Sequence, residues 1–131
     1  MKSIDMSVRR YTSEDYTTLC TWFHERNMIP VQESFLPKVG FVVPGLAMGF
    51  LVQTDAGFCI IEPFISNKSS SNEDRDMALN VIVEVLTATA KQMGYKGIFG
   101  FSTSLPMIRR VLKQGYIVNE VNSSTVFKEL Q

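Results

Sequence analysis

The residues with the most chemical potential lie where an apolar segment gives way to a polar one. After "FCIIEPFIS" (58–66) the chain reads "NKSSSNEDRDMALNVIVEVL" (67–86), a loop that becomes a helix. Free backbone N–H groups and the positive end of the helix dipole converge at such a junction, which suits it to cradle a phosphate. Lys68, Arg75 and the hydroxyls of the serine run at 69–71 fit that use. Glu73, Asp74 and Asp76 argue the other way. Carboxylates are what a helix N-terminus prefers when nothing else occupies it, each contributing about 0.3–1 kcal/mol, and they would repel a pyrophosphate. Ser70 or Ser71 can cap the first turn. The stretch therefore has two readings, an anion cradle and a self-capped helix.

Other reactive side chains are few. Cys20 and Cys59 lie far apart with no CxxC spacing, so both read as reduced core thiols. A thiol nucleophile at Cys59 would need a histidine base, and the single histidine, His24, is distant in sequence. One histidine also rules out a multi-histidine metal centre, and no metal is expected. His24, beside Trp22 and Phe23, reads as a helix-face residue, with a substrate-side role as the alternative. Arg109-Arg110 reads as a solvated pair on a helix, with contact to the phosphate end of a cofactor or to an acidic partner as the alternative.

The elements that must position these residues follow from pattern. At 131 residues and 45% hydrophobic content, the chain is long enough for one domain with a real core and no staples. Lys plus Arg equals Asp plus Glu at 13 each, so no net charge draws the protein to nucleic acid or to an anionic membrane. The longest apolar stretch, "FVVPGLAMGFLV", is broken by Pro44-Gly45, and "MKSIDMSVRR" lacks a signal-peptide centre. A soluble cytoplasmic protein of one domain, 1–131, is expected.

"MSVRRY" predicts a short first strand, and Ser13-Glu14-Asp15 starts an amphipathic helix over roughly 13–27. Two prolines in 28–37 predict a turn or a single helical turn. From 39 to 66, apolar runs punctuated by Pro44-Gly45 and Asp55-Ala56-Gly57 predict three antiparallel strands. Residues 73–93 form the longest helical pattern, with Ala78, Val81, Ile82, Val85, Leu86, Thr89, Ala90 and Met93 on one side and Gly94 as its cap. A strand over 95–102 follows. A shorter helix, 104–114, begins at Ser104 and buries Leu105, Ile108, Val111 and Leu112. "YIVNEV" and "TVFKEL" close the chain as a hairpin, with Tyr95 and Tyr116 as core or hairpin aromatics.

This order, with "AKQMGYKGIFGFS" and "SLPMIRRVLKQGY", resembles the GNAT superfamily of acetyl-CoA-dependent N-acetyltransferases over nearly the whole chain. Gly94-Tyr95 and Gly115-Tyr116 stand where that family has Gly-aromatic pairs before its fifth and sixth strands. The chain also looks similar to short GNAT-like proteins of bacteriophages. The resemblance implies an α+β domain with a central mixed, mostly antiparallel sheet whose fourth and fifth strands splay to admit the pantetheine arm of acetyl-CoA. The long helix would aim its N-terminus at the pyrophosphate, and the backbone of 62–66, including Phe64, Ile65 and Ser66, would hold the thioester. Glu62 falls where several members keep a general base, although an outward-facing strand glutamate is the plainer reading of it. Ser102, Thr103 and Ser104 are the nearest hydroxyls for protonating the leaving thiolate. The acceptor would be an amine on a small molecule or a protein.

Two departures from the family pattern favour a different class, a non-catalytic GNAT-like module that binds a protein partner through the cleft or the 28–37 segment. Counting back from Gly94 puts Asp74, Met77 and Leu79 where the family has Arg or Gln and two small residues, and a shift of one puts Arg75, Ala78 and Asn80 there. Val111 stands at the position of the family's usual tyrosine acid. A homodimer through an exposed "TVFKEL" edge is compatible with either class, though Lys128 and Glu129 discourage it.

Overall fold

The apolar runs of residues 39–66 fold as a meander in a computed structural model that describes residues 6–102, 104–118 and 125–130. Strands β2 (Val39–Val43), β3 (Ala47–Val52) and β4 (Phe58–Ser66) pair antiparallel in sequence order, and β1 (Arg9–Arg10) pairs with β2 at the edge. Only two of the six residues expected in the first strand pair. Helix α1 (Tyr16–Glu25) follows a 3-10 turn at Ser13–Asp15, and a second such turn, Glu33–Phe35, lies in the proline-bounded segment. Then come α2 (Asn72–Gln92), β5 (Gly97–Phe101), α3 (Leu105–Lys113), β6 (Ile117–Val118) and β7 (Thr125–Glu129).

Seven strands form one sheet in the order β1-β2-β3-β4-β5-β7-β6. Helices cover both of its faces, which explains why β3 is apolar throughout rather than alternating. Ala47 and Leu51 join the core under α2 with Ala78, Ile82, Leu86 and Ala90. Met48 and Phe50 point the other way, to Leu19, Trp22 and Phe23 of α1. Gly94 and Gly115 stop α2 and α3 with φ values of 92° and 91°, a left-handed conformation that glycine takes without a Cβ penalty.

Among the described residues the β4–β5 pairing is the sheet's one parallel contact, and it is short. Phe58, Cys59 and Ile60 oppose Gly97, Ile98 and Phe99, after which Gly100 and Phe101 pair with β7 alone. At the same level β4 bulges. Leu51 opposes Ile61 and Gly49 opposes Phe64, so two residues of β4, Glu62 and Pro63, joined by a cis peptide, fall where β3 has only Phe50. Beyond Ile60 the two strands part, as the resemblance implies for the fourth and fifth strands of an α+β, mostly antiparallel sheet.

Three expectations need correction. β7 is flanked by β5 and β6, so "TVFKEL" is an interior strand and offers no free edge for a second copy; the short β6 is the edge. Leu105 and Leu112, expected in the core, are 62% and 43% exposed because α3 turns Ile108, Arg110 and Val111 inward instead. Met93, at the C-terminal cap of α2 beyond the sheet, is likewise exposed.

Candidate active site

Where β4 and β5 part, a cleft of about 880 Å³ opens. Its apolar lining includes Ile61, Phe64, Ile65, Gly100, Val111 and Val126, and its polar groups come from β4, the first two turns of α2, the end of β5, α3 and Arg26 after α1. Among the candidate residues, Glu62, Phe64, Ile65, Ser66, Arg75 and Ser104 line it, whereas Lys68 is exposed and does not. Thr103 lies outside the described residues.

The start of α2 is built by its own side chains. Ser71 takes an extended conformation and its Oγ accepts from the Asp74 N–H at 3.1 Å, leaving the N–H groups of Asn72 and Glu73 as unpaired donors among the described residues. Glu73 and Asp76 carry carboxylates into the cleft lining beside those donors. Arg75 does not offer its guanidinium outward. Nη1 donates to the carbonyls of Lys68 at 2.9 Å and Ser70 at 2.5 Å, and Nη2 donates to Asn72 Oδ1, so the side chain ties down the loop before the helix. The Ser70 hydroxyl is spent in the same way, donating to the Asn67 carbonyl at 2.7 Å.

On the β4 side, Glu62 is exposed at the mouth of the cleft with no hydrogen-bond or ionic partner among the described residues. Ser66 is buried and held by Arg26, which donates from Nη2 to its Oγ at 2.8 Å and from Nε to its carbonyl at 3.3 Å. On the β5 side, Ser104 caps α3 by accepting from the Met107 N–H at 3.4 Å, and Ser102 Oγ accepts from the Ser104 N–H at 3.0 Å.

Arg26 was not legible as a site residue, and for Arg110 contact with the phosphate end of a cofactor or with an acidic partner stood only as the alternative to a solvated face. Arg110, read as solvated, is 7% exposed; its Nη2 donates to Asp76 Oδ1 at 2.6 Å across the cleft, its Nη1 approaches Met107 Sδ at 3.5 Å, and its Nε has no partner among the described residues. One signal was available. Met107, Arg110 and Val111 share a face of α3, at spacings of three and four. The remaining reactive groups stand apart from the cleft. Cys59 is fully buried, which pushes its thiol up to about 11, and Tyr116 is raised to about 12 chiefly by burial while its hydroxyl pairs with Thr87 Oγ1 at 2.8 Å. His24 is exposed on α1.

No protein-family model matches the sequence, and no curated protein matches it. Solved structures do match. A GCN5-related N-acetyltransferase from Kribbella flavida superposes with a TM-score of 0.76 at 11% identity, over 95% of this chain and 97% of that one. The chain carries the GNAT fold. A GNAT superfamily phosphinothricin acetyltransferase from Sinorhizobium meliloti, in complex with acetyl-CoA, gives a TM-score of 0.74 at 7% identity, over 95% of this chain and 88% of that one. N-acetylglutamate synthase from Neisseria gonorrhoeae, complexed with coenzyme A and L-arginine, gives 0.71 at 15% identity; the match covers 95% of this chain but only 33% of that protein. The likeness to bacteriophage proteins finds no support in these comparisons. Among the described residues, no helix is long and apolar enough to cross a membrane.

Proposed function

We propose that this GNAT-fold protein is an N-acetyltransferase that moves an acetyl group from acetyl-CoA to an amine on a small molecule or a protein. The observation that carries this reading is the parting of β4 and β5 after three parallel pairs, which opens an apolar-floored cleft beside the unpaired N–H groups of a helix start. Acetyl-CoA, when bound, supplies the activated acyl group and a thiolate leaving group.

The chain's part is to bind, orient and move protons. Phe64 and Ile65 lie on the bulged stretch of β4 beyond its pairing with β5 and line the cleft, and in this reading the main chain there holds the thioester and its pantetheine arm. Arg26 fixes the end of that stretch through Ser66. Glu62, unpaired at the mouth, takes the proton from the attacking amine, and positioning supplies much of the remaining rate. Val111 fills the place of the family's tyrosine acid, so protonation of the thiolate falls to Ser102, Thr103, Ser104 or solvent. Free cysteines at 20 and 59 suit a reducing compartment such as the cytoplasm.

Calorimetric titration with acetyl-CoA at low and moderate salt tests the reading. Micromolar binding that weakens with salt is expected, after which Glu62→Gln should lower the amine-dependent rate by about two orders of magnitude with affinity retained. An unchanged rate would remove Glu62 from the mechanism. The inward commitment of Arg75 and the carboxylates of Glu73 and Asp76 favour a second reading, a non-catalytic interaction module. Absence of binding at millimolar acetyl-CoA would select it.

A further inference from the structure

The cleft contains a buried cation for which the transfer chemistry above has no use. Arg110 is 7% exposed and lines the cleft. A guanidinium offers five N–H donors in a rigid planar fork and accepts nothing. Among the described residues its only oxygen partner is Asp76 Oδ1, at 2.6 Å; Met107 Sδ, at 3.5 Å from Nη1, is a weak acceptor, and the buried Nε has none. Buried donors are ordinarily satisfied, so this surplus needs an explanation.

Asp76 is a loose partner. Its side chain is 60% exposed while that of Arg110 is 6% exposed, so the carboxylate can turn into water while the guanidinium stays in place. The pair also spans two elements that bound the cleft, α3 and the first turns of α2. An anion arriving at this point finds no other free cation from the loop, because Arg75 is bonded to the loop carbonyls and Lys68 does not line the cleft.

We propose that Arg110 and Asp76 form an exchangeable latch and that the ligand which opens it is a diphosphate. The incoming diphosphate displaces the Asp76 carboxylate, and the Arg110 fork holds two of its oxygens, supplying from α3 the positive charge that the acidic start of α2 withholds. Identifying that diphosphate as the one in coenzyme A rests on the acyltransferase reading. The exchange makes and breaks ionic hydrogen bonds only.

Coenzyme A and inorganic pyrophosphate, titrated separately by calorimetry into wild type, Asp76→Asn, Arg110→Gln and the double variant, test the latch. Asp76→Asn, at an exposed side chain, should tighten both ligands about five- to tenfold, and Arg110→Gln should weaken both at least tenfold. The gain from Asp76→Asn should vanish in the double variant. If thermal unfolding shows that Arg110→Gln does not fold, Arg110→Lys replaces it. A lysine keeps the charge without the fork and should still bind diphosphate more weakly than wild type. An unchanged affinity in Asp76→Asn, or a gain that persists without Arg110, overturns the proposal. Pyrophosphate following the expected pattern while coenzyme A fails to bind would keep the latch and reject the acyltransferase reading. Coenzyme A binding with indifference to both substitutions would do the reverse.

Discussion

Replacing Gly49 by alanine should disturb the cleft from behind. Gly49 lies on β3 opposite Phe64 and beneath α2. A Cβ at this position would fall 2.6 Å from Ile82 Cγ2 and 2.6 Å from Phe64 Cε1, where carbon atoms prefer about 3.5–4.0 Å. Ile82 is fully buried in mid-helix and its β-branched side chain has one strongly preferred rotamer, so it yields only if α2 lifts. Phe64 is half-buried and faces the cleft, so its ring is the part free to move, and it moves into the space proposed for the pantetheine arm. Overpacking of this kind costs about 1–3 kcal/mol. For a domain of this length that corresponds to a fall of roughly 3–15 °C in the unfolding midpoint. Thermal unfolding paired with acetyl-CoA titration reads both effects, and Gly49→Ala combined with Phe64→Leu should recover part of each if the ring is the obstruction. A wild-type midpoint with wild-type affinity would refute the close-contact reasoning. A lowered midpoint with intact affinity would mean that α2, and not Phe64, gives way.

Two further outcomes follow from burial and charge. Arg9 forks onto Asp15 at 2.7 and 2.8 Å and holds its carboxyl below the usual range; such a group stabilises the fold above its unfolded value, about pH 4, and the contribution is lost as pH falls through the lower folded value. Asp15→Asn should therefore lower the midpoint at pH 7 and approach wild type as the pH drops toward 3, and a gap that stays constant across that range would sink the assignment. Burial of Cys59 should keep a thiol reagent at pH 8 from labelling it faster than the protein unfolds, so rapid labelling of both cysteines in the folded protein would contradict its placement in the core.

What the sequence disclosed was mainly local. Gly94 and Gly115 mark helix ends because a left-handed residue is needed there, and Ser71 and Ser104 cap helices because their hydroxyls reach the third N–H of each. The strands of the meander were legible because their turns are short and their neighbours adjacent. The insertion of β7 between β5 and β6 was not legible from pattern, since β5 and β7 are joined through a helix and a strand and each reads as a plausible edge by itself. The bulge at Glu62 and Pro63 was also hidden, because register depends on Gly49 and Leu51 of the facing strand. Arg110 failed for a related reason. Its partner Asp76 lies on another helix, and an arginine pair in isolation gives no sign of which member turns inward.

These two kinds of information meet in the cleft. Its opening is a product of topology: β5 pairs with β7 along its whole length but loses β4 after Phe99, and the proline-bearing bulge carries β4 away at the same level. Shape alone would admit any slender ligand with an extended arm, and the matched structures span only 7–15% identity among the three described, so shape is what they share with this chain. Selectivity must come from charge. Glu62, Glu73 and Asp76 place three carboxylates on the lining, while Arg26 is committed to Ser66 and Arg75 to the loop. An anionic cofactor therefore enters only if one remaining cation can be released to it, and Arg110, held by a single solvent-facing carboxylate, meets that requirement. On this argument the salt dependence of binding should be shallow in wild type, where one ion pair replaces another, and steeper in Asp76→Asn, where the incoming phosphate meets an uncompensated charge. Equal slopes in the two proteins would mean that the anion never exchanges with Asp76.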